Sequence, residues 1–87
     1  MLTVAKLAVL IKYQWNAHQF KKQASAQEKE LLAGLDWDET GEILQDLKRY
    51  HRKLISAEYA QKILTDLRQV CADDETAQTF IGYASTL

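Results

Sequence analysis

Four times along this chain, a serine or aspartate able to cap a helix precedes apolar residues spaced three and four apart. That pattern constrains the fold more than any other feature, because the period-two alternation of a half-buried strand does not accompany it. Ser25-Ala-Gln-Glu28 has the form of a capping box, in which the serine oxygen accepts from a free backbone N–H and the glutamate reaches back. A short helix should follow, with Leu31 and Leu32 inward and Gly34 at its left-handed end. Asp36-Trp-Asp-Glu39 starts a longer helix, about Asp38 to Leu54, with Ile43, Leu44, Leu47, Tyr50 and Leu54 as its buried stripe. Gly41 weakens its first turn. Ser56 caps a helix over Ala57 to Cys71, where Ala60, Ile63, Leu64, Leu67 and Val70 form a clean stripe. Glu58 and Lys62 add an i,i+4 pair on its wet side. Asp73 or Asp74 begins a short last helix carrying Ala77, Phe80, Ile81 and Ala84.

Ahead of these signals, Leu2 to Gln23 reads as one helix with two apolar stripes. Val4, Leu7, Ala8, Ile11 and Trp15 share one face; Leu2, Leu10, Tyr13, Ala17 and Phe20 form the other. A surface helix normally has one stripe, so this helix should be gripped on two sides. Either the short helix from Ala26 covers the second stripe, or the stripe stays exposed as an interaction site. In the exposed case Tyr13 and Phe20 are the anchors, for a homodimer or for docking on a membrane-receptor complex.

The chain has no proline and three glycines, which excludes a turn-rich sandwich or barrel. At 87 residues it should form one domain, residues 1–87, of all-α class. The expected core is Leu7, Ile11, Trp15, Leu32, Ile43, Leu47, Ile63, Leu67 and Phe80. Met1 to Ile11 is apolar but broken by Lys6 and stopped by Lys12. It is short of the roughly 20 apolar residues of a bilayer span and lacks the order of a signal peptide, so a cytoplasmic protein is expected.

Net charge is -1, which gives no overall pull toward DNA, RNA or an anionic membrane. The charges are nonetheless sorted. Residues 1–22 carry four lysines and no acid, and residues 23–47 carry seven acids against Lys29. Lys48-Arg49-Tyr50-His51-Arg52-Lys53 is the densest basic stretch. It could grip phosphate, with Tyr50 stacking on a base. Helix electrostatics explain it without a ligand, since Glu39, Glu42 and Asp46 precede it and the macrodipole favours acids before bases. No specific nucleic-acid binding is expected. The helix-turn-helix pattern over Gln27 to Leu47 also fails, because its second helix begins acidic.

No catalytic set emerges, so the chain is not expected to be an enzyme. His18 and His51 have no metal-ligand spacing around them, and Asp36, Asp38 and Glu39 are natural helix starters. Cys71 is the single cysteine; it excludes an internal disulfide and reads as a buried hydrophobe in a reducing compartment. No cofactor and no metal are expected.

From Tyr50 onward the residues Tyr50-His-Arg-Lys53-Leu54-Ile55-Ser56-Ala-Glu58-Tyr59, then Ile63, Leu64 and Leu67, and later Ile81-Gly82-Tyr83, carry a resemblance. The chain is here similar to the immunity proteins for pediocin-like bacteriocins. The resemblance implies an antiparallel four-helix bundle, here with one additional short helix. It also implies a cytosolic protein that protects the producer by binding a complex of the bacteriocin and its receptor, the mannose permease, at the inner membrane face. Specificity would lie in the helix from Ala57 and the tail Asp73–Leu87, which contains Phe80 and Tyr83. The candidate partner-binding residues are thus Tyr13, Phe20, Lys48, Arg49, Arg52, Lys53, Phe80 and Tyr83. The alternative function is a small nucleic-acid-binding or regulatory protein using the basic ends of the first and third helices.

Overall fold

Each helix begins where one side chain accepts a hydrogen bond from the backbone N–H three residues on. Thr3, Asn16, Ser25, Asp36, Ser56 and Asp73 do so in turn, satisfying a donor that the first helical turn leaves free. In the computed structural model, which describes residues 1–87, six helices follow these caps. They are α1 (Val4–Lys12), α2 (Ala17–Gln23), α3 (Ala26–Leu31), α4 (Trp37–His51), α5 (Ala57–Val70) and α6 (Asp74–Thr86). There is no strand, only a two-bond bridge at the chain's start: Leu2 N–H donates to the Val70 carbonyl (2.8 Å) and Ala72 N–H to the Leu2 carbonyl (2.7 Å).

The all-α expectation holds, with one more helix than the sequence pattern predicts. The predicted helix from Leu2 to Gln23 is two helices. Gln14 and Trp15 turn left-handed, at φ 52° and 60°, and Asn16 then caps α2. Trp15 N–H donates to the Leu10 carbonyl and Gln14 N–H to the Ile11 carbonyl, the paired bonds of a Schellman stop. At the break α2 leaves the line of α1, with Tyr13 and Phe20 interior on one side of it and Trp15 packed on Phe80 and Tyr83 of α6 on the other.

α4 packs on α5 and α6, and α6 also meets α1. One cluster of 15 buried side chains fills the space between them, including Leu7, Leu10, Leu32, Leu47, Leu67 and Phe80. Ile11 and Trp15, expected inside, are only half-buried and pack against the cluster's edge. The second stripe of the first segment is the better buried one: Leu2, Leu10, Tyr13 and Phe20 are interior, while Val4 and Ala8 of the first stripe are exposed. Of the two leucines expected inward at α3, Leu31 is exposed and only Leu32, its C-cap residue, joins the core. The last helix is 13 residues long and not short.

α4 stops at His51, earlier than the predicted Leu54. Lys53 takes φ 60°, its N–H donates to Tyr50 O, and Leu54 N–H donates to Arg49 O. This second Schellman stop ends the stripe a turn early. Leu54, expected inside, is therefore exposed, and Tyr50, also expected inside, is exposed in the last turn of α4. Glu58 and Lys62 do not form the expected pair, for the ion pairs are Lys12–Glu28 and Arg49–Asp46. No helix is long and apolar enough to cross a membrane.

Candidate functional site

The eight candidate residues do not form one site; they divide three ways. Tyr13, Phe20 and Phe80 are core, at 7%, 6% and 0% exposure, which removes them as anchors on a free surface. Their burial follows from what covers them. Phe20 lies edge-on to Tyr13 (ring centroids 5.7 Å) and against Trp37 at the start of α4 (5.3 Å). The Tyr13 hydroxyl donates to Glu28 Oε1 at 2.7 Å, and the Lys12 ammonium donates to Glu28 Oε2 at 3.2 Å. So α3 meets the second stripe at Tyr13 through Glu28, and α4 meets it at Phe20 through Trp37.

Glu28 is held at about 2, well below the usual carboxylate range. The Ser25 backbone N–H contributes most, then the Tyr13 hydroxyl, then Lys12. The same contacts raise Tyr13 and Lys12 above their ordinary values, led in each case by the Glu28 hydrogen bond. Glu28 thus closes the capping box of α3 and ties α3 to α1.

Tyr83 and Lys48 belong to a groove of about 920 Å³ between the α1–α2 turn, α4 and α6. Trp15, Trp37 and Tyr83 supply its aromatic wall. Trp15 is wedged edge-on to Phe80 (5.2 Å) and stacked on Tyr83 (5.8 Å). Its Nε1 is buried without a hydrogen-bond partner. Along α4 the groove runs from Asp38 past Gly41, Glu42 and Gln45 to Lys48, about 15 Å of helix. Gly41 leaves its floor open; a Cβ there would meet nothing within 4 Å. Asp38 and Glu42 line the groove's α4 N-terminal end without ion-pair partners.

Arg49, Arg52 and Lys53 lie at the corner between α4 and α5, with Tyr50 41% and Leu54 69% exposed beside them. Arg49 pairs with Asp46 at 3.6 Å, and the Arg52 guanidinium donates to the Leu87 carbonyl at 3.1 Å. Lys53 has neither an ion pair nor a side-chain hydrogen bond.

Sequence reasoning missed Trp37, Gly41, Asp38 and Glu42 as groove residues and placed Trp15 inside the core. Trp37 was legible only as part of a helix-start signal, and Gly41 only as a weak helix residue. The usable signal was Asn16, a strong N-cap type in the middle of a supposed helix. Reading it would have broken the segment beside Trp15.

Cys71 is buried where α5 ends, and its thiol is pushed up to about 11, first by burial and then by the Asp73 carboxylate. It is therefore not an activated nucleophile. No three His, Cys, Asp or Glu side chains come together as a metal site would need. The chain matches no protein-family model, no curated protein and no solved structure.

Proposed function

We propose that this chain is a non-catalytic helical binding protein whose partner enters the groove between α4, α6 and the α1–α2 turn. One observation carries the reading: three large aromatic side chains, Trp15, Trp37 and Tyr83, line an open groove on a well-packed helical frame. Aromatic residues are those that most often anchor interfaces. The unpaired carboxylates Asp38 and Glu42 at one end and Lys48 at the other give the groove a polarity that would orient a bound segment.

In its sharpest form the reading is an immunity protein for a pediocin-like bacteriocin, acting in the cytosol on the bacteriocin–receptor complex. The support is the resemblance from Tyr50 onward. Under this proposal α1, α4, α5 and α6 stand for the four helices of that family's antiparallel bundle. Tyr83, in the tail to which the resemblance assigns specificity, contributes to the groove wall.

Expression in a bacteriocin-sensitive strain tests it. The native chain should raise survival under a pediocin-like peptide. Gly41→Arg should remove protection while leaving the fold intact, since the added side chain enters open groove space on a helical backbone. No protection by the native chain against a panel of such peptides would refute the immunity form. Unchanged protection by Gly41→Arg would refute the groove.

A further inference from the structure

We propose that the corner between α4 and α5 is a docking surface for an anionic lipid bilayer. Independently of the groove, it rests on how α4 ends. The stretch from Lys48 to Ala57 holds four cations and no acid; Lys48 lines the groove, and Arg49, Arg52 and Lys53 are exposed at the corner, Arg52 with one guanidinium bond to the Leu87 carbonyl. The nearest acids along the chain are Asp46, already engaged by Arg49, and Glu58 in the first turn of α5. Within this basic stretch sits Leu54, at 69% the most exposed leucine of the chain.

The exposure of Leu54 is built in. A Schellman stop normally folds its last apolar residue back onto the residues one turn earlier in the helix. Here those positions are Lys48 and Arg49, which offer no apolar surface beyond their stems. The left-handed Lys53 therefore leaves Leu54 outside, in a position that the three-and-four spacing would have buried. Tyr50, one turn before Leu54, is also exposed and has the amphipathic ring suited to a headgroup layer.

An exposed leucine with exposed Arg49, Arg52 and Lys53 close by in the chain is complementary to one kind of surface above others. Anionic headgroups attract the cations, and the interfacial layer beneath accepts the leucine. A nucleic-acid duplex would take the cations and leave Leu54 in water. The overall charge of -1 does not by itself oppose local docking, because screening confines fields to about 8–10 Å; of the acids in residues 23–47, Asp46 is held by Arg49, and Glu42 lies two turns before Arg49 on α4.

Co-sedimentation of the 87-residue chain with vesicles tests the proposal. Vesicles of equimolar phosphatidylcholine and phosphatidylglycerol should bind it, phosphatidylcholine vesicles should not, and added salt should weaken the binding. Leu54→Ser should reduce partitioning about fivefold, and Arg52→Gln with Lys53→Gln more than tenfold. All these side chains are exposed, so thermal melts should show each variant folded. Equal binding to both vesicle types, or to neither, overturns the proposal. So does tighter binding to duplex DNA or RNA that ignores Leu54→Ser, which would assign the cations to nucleic acid. A dimer that Leu54→Ser converts to monomer would assign the tip to a second copy and overturn it equally.

Discussion

The indole of Trp15 lies on the ring of Tyr83 with centroids 5.8 Å apart and planes 16° from parallel, so the α1–α2 turn is stacked on the last helix. Trp15 reaches this position only because it and Gln14 turn left-handed. The contact buries Nε1 without a partner, which costs about 1–3 kcal/mol. Trp15→Phe keeps the ring contact and deletes the unpaired donor. It should change stability by no more than about 1 kcal/mol, whereas Trp15→Ala should cost at least about 2 kcal/mol. Urea midpoints at constant slope measure both; a Trp15→Phe loss as large as that of Trp15→Ala would mean that the N–H is satisfied.

Leu67 and Leu54 look alike in the sequence pattern and differ completely in the fold. Leu67 has no exposed surface, and Leu54 is 69% exposed. Leu67→Ala should cost about 2–5 kcal/mol, and Leu54→Ala less than about 0.5 kcal/mol. Comparable losses at the two sites would show that the end of α4 is wrongly placed.

Lys53 pays a conformational penalty that glycine would not, since it holds φ 60° at a helix stop where glycine is the usual residue. Lys53→Gly should stabilise the protein by about 1 kcal/mol. The same change at exposed, mid-helical Lys62 should destabilise it by about 1 kcal/mol. Thermal denaturation of the two variants gives shifts of opposite sign if the backbone at Lys53 is left-handed.

Glu28 makes stability depend on acidity. Its carboxyl is held near 2 in the folded protein against an ordinary 4.5, so its contribution is complete above the higher value and is lost as pH falls toward the lower one. Asp73, lowered mainly by the Thr76 backbone N–H, acts in the same direction. Glu28→Gln should be less stable than the native chain near neutrality, and the gap should close between about pH 5 and pH 2. Denaturation midpoints of both proteins across that range check the sign. A gap that widens on acidification would place the stabilising charge elsewhere.

What the sequence determined by itself is where helices begin. Ser25, Asp36, Ser56 and Asp73 are legible because a cap is an interaction across three residues, complete before any tertiary contact forms. The stripe of Ile43, Leu44 and Leu47, and that of Ala60, Ile63 and Leu67, were legible for the same reason: each lies within one uninterrupted helix. The break at Gln14 and Trp15 was legible in part, through the local cap at Asn16. Tertiary structure alone decided the burial of Tyr13 and Phe20 and the exposure of Leu54. The spacing of an apolar residue tells which neighbours share its face, and not whether another element comes to cover that face. Tyr13 and Phe20 are inside because Glu28 and Trp37 reach them from other helices. Leu54 is outside because a left-handed Lys53 ends its helix one turn too soon for the stripe to continue.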